Sequence, residues 1–209
     1  MSLPLLRQDR QRIPSRDLLG LRGIAFVAAL ALLAGGCAAG GRPATPMRLE
    51  VLRGIGKILR GGLTGATEIV SSSAGVEPGD RVAISTNGLA RLRLERGRVF
   101  ELEGAEVTVE SGTRVRLLRG NLLGELDEAG AVEAAGAIFS ATPARFRVDG
   151  GLEIRVGVYR GKVTARRGSE ELTVPAYRQV VISGSGLPRA ARPLRLPTSG
   201  DRWDRRYLQ

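Results

Sequence analysis

From Leu49 onward the chain alternates. The runs "RVAIS" (81–85), "ARLRLE" (90–95), "VFELE" (99–103), "EVTVE" (106–110), "RVRLL" (114–118), "ARFRV" (144–148), "LEIRV" (152–156), "KVTAR" (162–166) and "QVVIS" (179–183) place an apolar residue at most second positions. Successive side chains of a strand point to opposite faces, so a period of two predicts strands with one dry and one wet face. Turn signals separate the runs: "EPGD" at 77–80, "TNG" at 86–88, "ERG" at 95–97, "ESG" at 110–112, "DGG" at 149–151 and "RRGS" at 166–169. Strands recurring about every 8–12 residues predict an all-β domain. We expect a rolled, jelly-roll-like antiparallel sandwich of about ten or more short strands over 47–183. No segment of this body has the period of a long amphipathic helix. The stretch "EAGAVEAAGAIFSA" (128–141) does not alternate and reads as either a weak strand pair or a loop.

One phrase recurs: "VLRGIGKI" at 51–58, "LLRGNLLG" at 117–124 and "VYRGKVTA" at 158–165. Each has two apolar residues, then Arg-Gly, then another strand. The glycine suits a strand that bends and continues. Arg53, Arg119 and Arg160 are candidate partner-binding residues if the three strands lie side by side. Otherwise each marks a bend with an exposed side chain. The copies are unequally spaced, so they do not make a solenoid.

The first 22 residues are polar and Arg-rich, and residues 23–41, "GIAFVAALALLAGGCAAGG", are uncharged. A basic stretch, an apolar stretch and then small residues is the order of a secretory signal. The apolar core is too short for a comfortable spanning helix. It ends at Cys37, the single cysteine of the chain. "Leu33-Ala34-Gly35-Gly36-Cys37" resembles the lipobox of bacterial lipoproteins, with Leu four rather than three places before the Cys. That resemblance implies cleavage before Cys37 and lipidation of its thiol. Cleavage by ordinary signal peptidase, or retention as an uncleaved anchor, is the alternative. Two acyl chains suffice for stable attachment. The organisation expected is a signal at 1–36, lipidated Cys37 with a tether to residue 46, the β domain at 47–183, a Pro-rich linker or strap at 184–200, and a tail at 201–209. That tail, "DRWDRRYLQ", holds the single tryptophan, Trp203, which either packs back on the sheet or docks a partner.

Composition narrows the chemistry. The chain of 209 residues has no histidine, which excludes Ser-His-Asp and Cys-His catalysis and zinc sites built from Cys and His. Aromatics make up 4%, so the core must come mainly from Val, Leu, Ile and Ala. No phosphate loop, dinucleotide fingerprint, nucleophile elbow or calcium loop occurs. The pairs Glu101 and Glu103, and Asp127 and Glu128, read as solvated surface residues. We expect no enzyme, no metal and no cofactor. The formal net charge of +11 fits an anionic partner or simply a basic surface. No dense basic helix face and no basic–aromatic interleaving appears, which argues against nucleic acid.

The order of phrases resembles the FecR domain of bacterial cell-envelope proteins. The matching phrases are "VLRGIGKILRGG", then "VEPGDRVAISTNGLARLRLERGRVFELEGAEVTVES", "RVRLLRGNLLGEL", "FSATPARFRV" and "RVGVYRGKVTARRG…LTVPAYRQVVI", covering about residues 49–183. The "R-G-T-x-F" phrase common after "TP" is missing, and "ARFRV" stands nearby. The resemblance implies an extracytoplasmic signalling domain. Studied members join it, across a membrane helix, to a cytoplasmic anti-sigma domain. Here about 22 residues precede the apolar run, too few to bury a core, so a sigma factor is not the expected partner. The expected function is a non-enzymatic binding module tethered at the cell envelope. It would dock an envelope protein or polymer through an edge strand or a wet sheet face. The alternative is an Arg-mediated binder of an anionic wall polymer or lipid surface.

Overall fold

The computed structural model describes residues 46–61, 65–184 and 186–194. Cys37, Trp203 and the expected signal, tether and tail lie outside the described residues. Among the described residues there are fourteen strands and no helix, as the alternation predicts. Ten strands have six residues or fewer: β1 (Arg48–Arg53), β2 (Gly56–Leu59), β3 (Thr67–Val70), β4 (Ser73–Gly75), β5 (Arg81–Ile84), β6 (Leu89–Arg93), β9 (Gly130–Ala134), β12 (Glu170–Pro175), β13 (Arg178–Ile182) and β14 (Arg192–Pro193). Four are long: β7 (Arg98–Ser111), β8 (Arg114–Leu126), β10 (Ala137–Gly150) and β11 (Ile154–Arg167).

The long strands merge runs that read as separate. "VFELE" and "EVTVE" are both β7, and "LEIRV" and "KVTAR" are both β11. Each long strand changes company midway. In β7, Val99–Glu103 pairs with β6, whereas Glu106–Thr108 pairs with β5. In β8, Gly120–Leu126 pairs with β10, whereas Arg114–Leu117 pairs with β9. In β11, Ile154–Val158 pairs with β13, and Lys162–Arg167 pairs with β12. The continuous sheet is thereby folded on itself into two layers. The first layer runs β4-β1-β6-β7-β8-β10-β11-β13-β14, and the second runs β3-β2-β5-β7-β8-β9-β10-β11-β12. The inward-facing buried apolar positions of both layers form one core cluster. Among the described residues all pairings are antiparallel except β8 with β9, which is parallel. The undecided stretch 128–141 is a strand pair: β9 turns into β10 through Ala135 and Gly136, both at positive φ, the type I′ geometry of a two-residue hairpin.

Strands that serve two layers must turn a corner, and corners are made by bulges. The Arg-Gly phrases are three of them. Gly54 (φ +81) takes the chain from β1 in the first layer to β2 in the second, Gly120 (φ +84) turns β8, and Gly161 (φ +76) turns β11. At Gly120, two residues of β7, Gly104 and Ala105, oppose one of β8, as the register shift between Glu103 and Glu106 records. Next to Gly161, Thr142 and Pro143 of β10 stand opposite Lys162 alone. A proline fits there because a bulge leaves a backbone N–H outside the ladder.

The core holds more than aliphatics at its centre. Phe100, Phe139 and Phe146 are fully buried. Phe100 and Phe146 flank Gly124 across the ladder, and a Cβ on Gly124 would come within 2.9 Å of the Phe146 ring. Each ring contributes about 1.5–3 kcal/mol by burial.

Candidate interaction surfaces

The corners decide where the candidate arginines sit. Arg53 donates from Nε to the Asn87 carbonyl at 2.7 Å, and its Nη2 lies 4.0 Å from Glu103. Arg119 Nε donates to Glu106 Oε2 at 2.7 Å. Glu103 and Glu106 flank the same bend of β7, so Arg53 and Arg119 gather at one corner. Arg160 does not join them. It stands opposite Arg145 in the ladder, and Arg145 stands opposite Glu125 of β8. That rung is five residues from the Gly120 rung, or about 17 Å. The reason is topological: β7 and β8 turn at one end of the first layer, whereas β10 and β11 turn at the other. The three Arg-Gly phrases are bends, and they do not form a set of three arginines.

Most arginines on the wet faces meet carboxylates. On the second layer Glu106 accepts from Arg81 Nε at 2.5 Å as well as from Arg119. Arg114 and Arg116 share Glu110 and Glu133. On the first layer Arg91 pairs with Glu101 at 3.0 Å, Arg145 with Glu125, and Arg147 with Asp149 at 2.5 Å. Glu101 is 5% exposed, so it is a buried ion-pair member rather than the solvated surface residue expected; Glu103 remains on the surface. Cross-strand placement explains this, because alternating Arg and Glu on neighbouring strands fall into register. Residues 47–183 accordingly carry 20 Lys and Arg against 17 Asp and Glu, and most of the net charge lies in the two flanks. Among the described residues no cluster of three or more His, Cys, Asp or Glu is placed to hold a metal.

Glu106 also sets an acid response. The Arg119 hydrogen bond, joined by that from Arg81 and opposed by burial, holds its carboxyl below the usual 4.5. A carboxylate with a depressed folded pKa stabilises above its unfolded pKa, and that stability is lost as pH falls through the folded value. We therefore expect the wild type to lose stability more steeply than Glu106→Gln below about pH 4.5. At neutral pH the variant should be weaker by about 1 kcal/mol, since both arginines are half exposed. Urea titrations at several pH values check both.

A second surface was not legible in the sequence. β3 pairs with β2 on one side and with no described strand on the other. Ile69 of β3 is 70% exposed and lies opposite Lys57. Leu59, on the same face of β2, and Ile55 just before β2 are also exposed. The result is an open strand edge with apolar side chains beside it. "TEIV", between Ala66 and Ser71, carries little periodic signal because it is only four residues long.

No protein-family profile and no curated protein matches this chain. Two solved structures of a "putative anti-sigma factor" from Parabacteroides distasonis, at 1.65 and 2.50 Å resolution, are similar in part. Their identities are 15% and 14%, each with a TM-score of 0.48 over 54% of this chain. The match spans 59% of those chains.

Proposed function

We propose that this chain is a non-catalytic interaction module of the FecR type, tethered at the cell envelope through lipidated Cys37, which captures an extended segment of an envelope protein at β3. The observation that carries the reading is the open β3 edge with Ile69 at 70% exposure and Leu59 and Ile55 beside it. An exposed strand edge offers unpaired N–H and C=O groups, and a partner strand can add to it. Apolar side chains at alternate positions then supply affinity and register. The ordered FecR-like phrases support the class: the "RG" positions are the corners of the sandwich, and Asp80 of "EPGD" is buried in a turn. The Arg–Glu pairing described above weighs against the anionic-polymer alternative, because the paired arginines have a carboxylate close by.

Photo-crosslinking from position 69 of the full chain in its native envelope tests the reading. We expect one dominant protein adduct that survives raised salt. Ile69→Asp, read with a crosslinker at the adjacent Glu68, should reduce that adduct at least tenfold without loss of folded protein. Absence of an adduct, or indifference to Ile69→Asp, would defeat the β3 assignment. An association that collapses with salt would favour the anionic polymer.

A further inference from the structure

Charge is not spread evenly along the sandwich. Residues 46–149 carry 14 Lys and Arg against 14 Asp and Glu, whereas residues 150–194 carry 8 against 3. Among the described residues the side-chain ion pairs all lie in the first group, so the cations of the second have no carboxylate partner there. Three of those cations gather at the β11 corner. Arg160 and Lys162 flank Gly161, and both are exposed. The β12–β13 turn closes against the same bulge: Lys162 stands opposite Pro175, exposed Arg178 stands opposite Val158, and the Tyr177 N–H donates to the Val158 carbonyl at 2.8 Å. A stretch of four residues of β11, about 13 Å, thus brings Arg160, Lys162 and Arg178 together. The carboxylates of this half stand away from the corner. Glu153 precedes β11, and Glu170 and Glu171 lie opposite Arg167 and Arg166 at its far end.

The same corner carries apolar tips. Tyr177 is 66% exposed, and its φ of +59° is one that a bulky L side chain adopts only with strain. Glycine would hold this turn without that cost. Backbone strain of this kind clusters where a side chain has a task. Pro143 and Pro175 are exposed beside it, on either side of Lys162 in the ladder. We propose that this corner rests on the surface of an anionic bilayer, with Arg160, Lys162 and Arg178 on lipid phosphates and Tyr177 at the level of the headgroups. Lys and Arg are drawn to such a surface, and their long stems lie along apolar atoms while the charge reaches outward. The apolar body and polar tip of Tyr suit the boundary between headgroup and acyl chain. The apolar tips favour a bilayer over a soluble polyanion, which offers Tyr177, Pro143 and Pro175 nothing to enter. The proposal rests on the preceding reading only for placing the chain at an envelope; neither β3 nor Cys37 takes part in the contact.

The chain has two lysines, and they report separately: Lys162 at the corner and exposed Lys57 on β2. The full chain on vesicles is acylated with an amine-reactive ester, and each lysine is followed by mass spectrometry. We expect Lys162 to be labelled several-fold less on vesicles containing phosphatidylglycerol than on pure phosphatidylcholine, with Lys57 unchanged. Any N-terminal anchor is common to both arms, so failure of the Cys37 or β3 assignment leaves this comparison intact. Raised salt should restore the labelling of Lys162, because it screens surface charge. Arg160→Glu combined with Arg178→Glu should restore it as well, and so should Tyr177→Gly, which relieves the turn and keeps the wild-type circular dichroism. Equal labelling of Lys162 on the two kinds of vesicle, equal protection of both lysines, or indifference to both variants would overturn the proposal. Protection by soluble polyphosphate that matches the protection on vesicles would also overturn it, by assigning the corner to a polyanion in solution.

Discussion

Replacing Asp80 with alanine is expected to lower the unfolding free energy by about 3 kcal/mol. For a domain of this size that amounts to roughly 6–12 °C in Tm. Asp80 is 2% exposed and ends the turn "EPGD". Its Oδ2 accepts from Arg60 Nη1 at 2.7 Å and from the Glu77 N–H at 3.0 Å, and its Oδ1 accepts from the Gly61 N–H at 3.0 Å. One carboxylate therefore closes its own turn and pins the chain after β2 to the start of β5. Its backbone joins in, because the Val109 N–H of β7 donates to the Asp80 carbonyl at 2.9 Å. Alanine would leave two N–H groups without their acceptor and reduce the partners of the partly buried Arg60 guanidinium to Glu68 and the Gly75 carbonyl. Asparagine would keep the shape but turn an N–H donor toward other donors, so most of the loss should persist. Chemical denaturation of the three proteins decides it, and a loss under about 1 kcal/mol for alanine would mean that water replaces the carboxylate without penalty.

Gly120→Ala is expected to cost about 2–5 kcal/mol, from two sources. Its φ of +84° is one that an L side chain adopts only with strain of about 1–2 kcal/mol. In addition, a Cβ would overlap the carbonyl oxygen of Gly104 and the Cα of Ala105, both backbone atoms that cannot swing aside. Overpacking of that kind typically adds about 1–3 kcal/mol. Gly168 provides the comparison. It has φ +58° but nothing within 4 Å of the position a Cβ would take. Gly168→Ala should therefore cost about 1–2 kcal/mol, the strain part alone. The difference between the two variants measures how closely β7 and β8 approach at the corner. Equal losses would show that backbone conformation, and not close approach, makes Gly120 necessary.

Much of the fold was legible. Period-two alternation located the strands, and turn phrases such as "ERG" and "RRGS" fell where strands end. The Arg-Gly repeat was legible as a bend because glycine has a specific backbone meaning. What was not legible was the continuation of hydrogen bonding through a bend. "VFELE" and "EVTVE" look like two strands because the bulge at Gly104 and Ala105 shifts the alternation by one residue, as a turn would. The parallel β8–β9 pairing was hidden for a related reason, since adjacent runs in a β-rich chain suggest hairpins. Glu101 looked solvated because its partners, Arg91 on β6 and Leu123 on β8, are fixed by register across strands. The three candidate arginines shared a phrase but not a place.

By itself the sequence determined that this protein is all-β, that most of its strand runs carry one apolar and one polar face, that its Arg-Gly positions bend, and that histidine-based chemistry is closed to it. Those properties are local: they follow from period, backbone preference and residue inventory. The tertiary structure alone decided which corner each of these arginines occupies, that Glu101 is buried, that Leu123 is buried on an outer face, and that β3 has no described strand at its outer edge. Those are non-local, because they depend on which strands pair and in what register, and a change of register by one residue reverses the face of every side chain.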